Sequence, residues 1–97
     1  MDYLEKYNLS KDEIQKIKKH FNKDIVNKFE IMEDNVTKVL DYLSSLKIKN
    51  VKSLILNRPD ICFMNLELLQ SKTSKFDSNL IRFIFENEVE NLMNFDI

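Results

Sequence analysis

The side chains that most often catalyse reactions or bind metals are few in this sequence. His20 is its only histidine and Cys62 its only cysteine. A structural zinc site needs about four such ligands, and a cysteine becomes a strong nucleophile only beside a base, a positive charge or a helix N-terminus. We therefore expect His20, which lies among lysines, at the surface. Cys62 lies between Ile61 and Phe63, and we expect it in the core as a small apolar residue.

Neighbouring carboxylates are the second group that could do chemistry. They occur at Asp12 and Glu13, at Glu33 and Asp34, and among residues 86–90. General acid-base catalysis needs a carboxyl group whose pKa is tuned by its surroundings, and nothing near these acids indicates an apolar cleft. The chain also has no glycine, which excludes the glycine-rich loops that hold nucleotide phosphates. We predict that the protein is not an enzyme and uses no metal or other cofactor.

Positive charge is concentrated in one part of the chain, although the formal net charge is only -1. Residues 47–82 contain seven lysines and arginines against three acidic residues. Such side chains bind phosphates with a salt-dependent affinity and little sequence preference. A solvated surface is the other interpretation of the same residues. We name the seven the basic stripe and treat them as candidate DNA- or RNA-binding residues: Lys47, Lys49, Lys52, Arg58, Lys72, Lys75 and Arg82.

The C-terminal residues 85–97 suggest a different function. They combine four acidic residues, and no basic one, with several apolar residues. A surface of this composition can dock onto a protein partner or onto a second copy of the chain. Two further hypotheses therefore stand beside nucleic-acid binding: a protein-interaction adaptor or inhibitor, and a structural homodimer.

The composition predicts a single all-α domain that positions these residues. The chain has 97 residues, enough for one modest core, with no glycine and one proline. Few irregular loops are expected, and any positive φ angle must fall on Asn, Asp or Lys. The first residues lack the basic start and apolar run of a secretory leader, and no stretch is apolar enough to span a membrane. With a single cysteine, no internal disulfide is possible, and we expect a cytoplasmic protein.

The spacing of apolar residues predicts about six short helices. Ser10 and Glu13 form a capping box, and Asn65 and Asp77 are placed to cap later helices. Pro59 disfavours a helical conformation of the preceding Arg58, so a helix should end before Arg58. The clearest amphipathic pattern follows the acidic start at residues 33–35. The predicted core positions are Ile14, Ile17, Phe21, Ile25, Phe29, Val36, Val39, Leu40, Leu43, Leu46, Val51, Leu54, Ile55, Leu66, Leu68, Leu69, Phe76, Leu80, Ile81, Phe83, Ile84 and Phe85, together with an apolar tail of Val89, Leu92, Met93, Phe95 and Ile97.

Internal similarity divides the chain into three approximate repeats, residues 1–38, 39–68 and 69–97. Tyr3 and Leu4 align with Tyr42 and Leu43, and the alignment continues with a small change of offset. The third copy is weaker. Each copy consists of a helix, a turn, a second helix and an apolar turn.

The second copy contains a leucine-rich helix over residues 39–48, three apolar positions over residues 51–55, and Pro59 with the apolar Ile61 two residues later. This arrangement resembles the helical repeat of the mitochondrial transcription termination factor (mTERF) family. The resemblance implies a short α-solenoid-like domain that binds nucleic acid through basic residues on its concave face. At the glycine position of the family repeat, this chain has Asn8 and Lys47. Asn8 tolerates a left-handed conformation, and Lys47 should be strained there or end its helix differently.

Overall fold

The computed structural model describes all 97 residues, and every regular element in it is helical. The predicted all-α class is therefore confirmed. Seven α-helices and two 3-10 helices are present, rather than about six helices. In chain order they are η1 (Asp2–Tyr7), α1 (Lys11–His20), α2 (Lys23–Ile31), α3 (Glu33–Ser45), α4 (Val51–Asn57), α5 (Pro59–Cys62), α6 (Leu66–Thr73), α7 (Ser78–Asn87) and η2 (Val89–Phe95). None of these helices is both long enough and apolar enough to cross a membrane.

Four of the seven α-helices begin at a side-chain cap. The Ser10 hydroxyl accepts a hydrogen bond from the main-chain N–H of Glu13 at 3.1 Å, and the Glu13 carboxylate accepts one from the N–H of Ser10 at 3.0 Å. Asn65 and Asp77 cap α6 and α7 as predicted. Asn22 caps α2 in the same way, so Ile25 lies in a different helix from the predicted core residues Ile14 and Ile17. Phe21, in an extended conformation, separates the two helices.

The start of α3 lies at the acidic residues where the sequence placed it. The helix begins at Glu33, and no side chain caps it. The side-chain amide of Asn35 instead donates to the main-chain oxygens of Cys62 at 3.2 Å and Met64 at 3.0 Å. These two bonds satisfy carbonyl groups near the end of α5, where a four-residue helix cannot satisfy its own.

The nine helices can be divided into three consecutive groups of three. Each group has a first helix, a second helix and a third element: η1, α1 and α2; then α3, α4 and α5; then α6, α7 and η2. The groups begin at residues 2, 33 and 66, so the second and third begin earlier than residues 39 and 69, where the sequence alignment placed them. The helix of residues 33–45 forms without interruption across the boundary predicted after residue 38.

One apolar core joins the three groups. It contains 24 buried residues, and most of the predicted core positions belong to it, among them Ile14, Leu43, Leu54 and Phe85. Three predicted core residues are instead substantially exposed: Leu68 at 49%, Leu80 at 43% and Phe83 at 55%. Since α7 already packs Ile81, Ile84 and Phe85 inward, Leu80 and Phe83 lie outside the arc of the helix that can reach the core. In the tail, Met93 is exposed as well.

Candidate nucleic-acid interface

The basic stripe does not form one continuous row. Lys47 and Lys49 lie at the turn between α3 and α4, and Arg58 lies beyond the opposite end of α4. A seven-residue α-helix is about 10 Å long, so these two positions are separated by roughly that distance along the helix. The other residues of the basic stripe also fall into these two regions. Arg82 lies near the turn between α3 and α4, and Lys72 and Lys75 lie near Arg58 and the tail of the chain.

The first region is an open groove with a volume of about 250 Å³. Its walls are two turns, one after η1 and one after α3, which occupy the same place in the first and second groups of helices. Both turns contain a left-handed residue, Asn8 with φ 66° and Lys47 with φ 65°. The lining residues are Lys6, Tyr7, Asn8, Ser44, Lys47, Ile48, Lys49 and Val51.

The local fold at Lys47 explains why its side chain projects outward. The main-chain N–H of Lys47 donates to the oxygen of Ser44 at 2.9 Å, and that of Ile48 donates to the oxygen of Leu43 at 3.2 Å. This is the hydrogen-bond pattern of a Schellman motif, in which a left-handed residue ends a helix. Ile48 is turned into the core beside Leu43, and Lys47 remains exposed. Lys47 adopts the left-handed conformation of the glycine position and does not end its helix differently, and all positive φ angles fall on Asn, Asp or Lys as predicted.

Two cations of the groove have no acidic partner within 4 Å, namely Lys47 and Lys49. Arg82 lies next to them, because its Nε donates to the main-chain oxygen of Leu46 at 3.3 Å, and it also has no acidic partner. Asn50 fastens the turn to α7 through a 2.7 Å hydrogen bond from its amide to the main-chain oxygen of Phe85. The third group of helices thus supports the turn that carries the free lysines.

Lys6, the third lysine of the groove, is paired. Its Nζ lies 3.0 Å from Oδ1 of Asp41, and the hydroxyl of Tyr7 donates to the same oxygen at 2.8 Å. The hydrogen bonds from Lys6 and Tyr7 hold the pKa of Asp41 below its usual value. Burial, together with the hydrogen bond to Asp41, raises the pKa of Tyr7. Asp41 is therefore an anion at neutral pH and Tyr7 a neutral donor.

Lys52 serves as a link between two groups of helices. Its Nζ lies 3.2 Å from the carboxylate of Glu13, so α4 is connected to α1. The main-chain hydrogen bond from Ser10, followed by the contact with Lys52, lowers the pKa of Glu13. Lys52 is thus paired with Glu13, which also caps α1, and it is less free to bind a ligand than Lys47 or Lys49.

The second region is a smaller cavity of about 170 Å³ lined by Arg58, Lys72, Met93, Asp96 and Ile97. Two Arg58 nitrogens donate to the carboxylate of Asp60 at 3.0 and 2.9 Å, and one of them also donates to the main-chain oxygen of Ile97 at 3.0 Å. The remaining nitrogen, Nη1, is buried without a partner. Only 17% of the Arg58 side chain is exposed, so this residue joins α5 to the tail of the chain.

The acids of the second region neutralise most of its positive charge. Lys75 lies 3.6 Å from the carboxylate of Asp96, and the pKa of Asp60 is lowered by its hydrogen bonds with Arg58. Lys72 alone is left there without an acidic partner. The structure therefore brings Lys47, Lys49 and Arg82 to one turn, and it separates them from Arg58, Lys72 and Lys75.

Sequence reasoning missed Lys6, which lies outside residues 47–82. The repeat alignment is the signal that could have found it. Asn8 corresponds to Lys47 in that alignment, and Lys6 lies only two residues before Asn8, so it belongs to the equivalent turn.

His20 and Cys62 lie where the sequence analysis placed them. His20 is exposed with its ring 4.8 Å from that of Phe21, and Cys62 is fully buried, which raises its thiol pKa to about 12.

The apolar docking surface predicted over residues 85–97 is not present at the surface. Phe85, Val89, Leu92 and Ile97 all belong to the core. Phe85 lies on the buried side of α7, and Val89 and Leu92 are the buried residues of η2. A left-handed Asp96 then directs Ile97 back, with a hydrogen bond from its main-chain N–H to the main-chain oxygen of Leu92. The exposed apolar residues of this part of the chain are instead Leu80, Phe83 and Met93.

Comparison with models of protein families, with curated proteins and with solved structures gives no match for this chain. The resemblance to mTERF repeats consequently rests on the residue pattern of the sequence.

Proposed function

We propose that the protein is a small, non-catalytic helical-repeat module that binds DNA or RNA through the groove between the η1 turn and the α3 turn. The observation that carries this proposal is the convergence of Lys47 and Lys49, both without acidic partners, on one open groove that also holds Lys6. Arg82 adds a fourth positive charge beside it.

The order of helix contacts supports a stack of repeats of the mTERF type. The larger contacts between elements lie within a group or between consecutive groups: α2 packs on α3, α3 on α6, and α4 on η2. No contact of comparable size joins the first group to the third. In a stacked array each repeat touches its neighbours, and equivalent turns line up along one edge. This accounts for a groove built from two equivalent turns.

The chemistry of the groove suits phosphate groups. Lysine ammonium groups on flexible stems bind phosphate oxygens as point charges, and the Ser44 hydroxyl and the Asn8 amide can donate additional hydrogen bonds. Such contacts position a nucleic-acid backbone and do not read its bases, so we expect little sequence preference. The net charge of -1 gives the whole molecule no general attraction for polyanions, and binding depends on this local surface.

The test compares two charge-reversal variants with equal net charge. Lys47→Glu with Lys49→Glu changes the groove, and Lys16→Glu with Lys19→Glu changes two exposed lysines of α1 that also lack acidic partners. Binding of labelled 20-nucleotide single- and double-stranded DNA and RNA is measured by fluorescence anisotropy at 50 and 150 mM salt. We expect at least a tenfold loss of affinity for the groove variant and less than a threefold loss for the α1 variant.

Two results would contradict the proposal. If the unmodified protein does not bind any of the four nucleic acids at 50 mM salt, the groove has another role. If both variants lose affinity equally, the attraction is a general charge effect without a defined site. Circular dichroism spectra of the variants check that the helices are intact.

A second candidate function, protein binding, is favoured by the exposed apolar residues of α7. Leu80 and Phe83 are three residues apart and lie on the same side of the helix, without a packing partner in the core. Exposed apolar residues grouped in this way favour contact with a protein or a second copy. Sedimentation equilibrium from 10 to 500 μM tests self-association, which Phe83→Ser should weaken. A monomer throughout this range excludes the homodimer.

A further inference from the structure

The ion pair between Lys6 and Asp41 joins η1 to α3. About half of each side chain is exposed to solvent, 61% for Lys6 and 47% for Asp41. Exposed ion pairs contribute little to stability. The hydrogen bond from the Tyr7 hydroxyl to Asp41 helps to place that tyrosine, but an uncharged amide at position 41 can accept the same bond. The negative charge of Asp41 therefore needs another explanation.

The position of Asp41 beside the groove supplies that explanation. Among the three lysines that line the groove, Lys6 is the one that has an acidic partner. A phosphate entering the groove must take Lys6 from the Asp41 carboxylate, and it also experiences repulsion from that carboxylate. The pKa of Asp41 is lowered, so this competing charge persists through the neutral range.

We propose that Asp41 limits the strength of phosphate binding in the groove. This inference rests on the proposed nucleic-acid function and concerns the regulation of the same site. In the free protein Lys6 is held by Asp41, and the phosphate of a bound nucleic acid competes with the carboxylate for the ammonium group. Removing the negative charge frees Lys6 for the ligand. One additional lysine then neutralises a phosphate, which increases both the affinity and its dependence on salt.

The experiment compares Asp41→Asn with Asp34→Asn. Both residues belong to α3, both changes raise the net charge by one, and Asp34 has no basic partner within 4 Å. Anisotropy titrations with the labelled 20-nucleotide probes are repeated from 50 to 200 mM salt. For Asp41→Asn we expect a gain in affinity of threefold or more at 50 mM salt, and a slope of log K against log salt that is steeper by up to about 0.9. For Asp34→Asn we expect a gain below 1.5-fold with an unchanged slope.

A Lys6→Gln background identifies the residue through which Asp41 acts. If the inference is right, Asp41→Asn produces no gain when Lys6 is absent, because the freed cation is the source of the gain. Asp41→Ser provides an independent variant, with the same expected gain, in case the asparagine disturbs Tyr7.

The possible failures are distinguishable. Absence of binding by the unmodified protein overturns the proposed function and this inference together. Binding by the unmodified protein with equal effects of Asp41→Asn and Asp34→Asn overturns only the role of Asp41. A loss of affinity in Asp41→Asn also overturns it, because that result would make Asp41 a residue that positions Lys6 for the ligand.

Discussion

Lys47 combines two roles that conflict at the scale of a single residue. Its left-handed conformation ends α3 and exposes its side chain in the groove. For a residue with a Cβ atom, this conformation costs about 1–2 kcal/mol relative to the right-handed one. Glycine at this position would carry no such cost. The chain thus has a positive charge where the backbone favours glycine.

Replacing Lys47 with glycine should consequently stabilise the protein. We expect Lys47→Gly to raise the free energy of unfolding by about 0.5–1 kcal/mol, since part of the gain is offset by the flexibility of glycine in the unfolded chain. Urea denaturation measures the change. Lys49→Gly is the control, because residue 49 has no positive φ, and it should leave stability unchanged or lower it. Equal effects of the two variants would show that the turn at Lys47 is not strained.

At the scale of elements, side-chain pairs hold neighbouring helices and turns together. The Arg58 and Asp60 pair is the clearest, because it lies at the junction of α4 and α5 and includes a bond to the tail at Ile97. The pKa of Asp60 is lower in the folded protein than the usual 3.8, so the unfolded chain binds more protons as the solution becomes acidic. The contribution of Asp60 to stability is complete above about pH 5 and is lost as the pH falls through its folded pKa.

This linkage predicts a shallower acid transition for Asp60→Asn. Between pH 5 and pH 3 the free energy of unfolding should fall less in this variant than in the unmodified protein, because one depressed carboxyl group is missing. Urea denaturation at pH 5, 4 and 3 gives the comparison. Asp34→Asn, at an exposed aspartate without a basic partner, serves as the control. Parallel losses in the Asp60→Asn variant and the unmodified protein would exclude Asp60 as a source of the acid sensitivity.

The elements themselves were largely predictable, because helix caps and apolar spacing are local. Ser10, Asn65 and Asp77 mark helix starts in the sequence and in the structure. Asn22 was overlooked, although it has the same type of side chain as Asn65, because the apolar spacing continues past it to Ile25. The identity of α5 as a helix was also missed, since four residues are too few to give a periodic pattern.

The candidate site was less predictable, because its composition depends on contacts between residues far apart in the chain. Lys52 meets Glu13, Arg58 meets Ile97, and Lys6 meets Asp41 only after the groups of helices have packed together. A count of charges along the sequence cannot tell a free lysine from a paired one. It therefore selected seven residues, of which Lys47, Lys49 and Arg82 meet at one turn, and it omitted Lys6.

At the scale of the whole molecule, the shared core connects the three groups. The protein measures 34 × 22 × 22 Å, and its 24 core residues come from every group. A single core of this size normally unfolds in one cooperative step. Long repeat arrays can lose such cooperativity, but three groups that share buried residues should behave as one unit.

We therefore expect one unfolding transition for the entire chain. Leu4→Ala in the first group and Leu92→Ala in the third each remove a fully buried side chain and should cost about 2–5 kcal/mol. Both variants should shift the same transition, with coincident curves from circular dichroism and tyrosine fluorescence. Separate transitions, or a shift confined to one probe, would show that the end groups unfold independently.

The hydrogen bond between Tyr7 and Asp41 also gives the protein an internal optical probe. The chain has three tyrosines and no tryptophan, so tyrosine dominates its ultraviolet emission. Tyr7 both lines the groove and donates a hydrogen bond from its hydroxyl to the carboxylate of Asp41, beside Lys6. An anion that draws Lys6 away from Asp41 alters the surroundings of that phenol and hence the intensity of its emission. Occupancy of the groove can thus be followed on the unlabelled chain, with Tyr7→Phe identifying the part of the signal that comes from this residue.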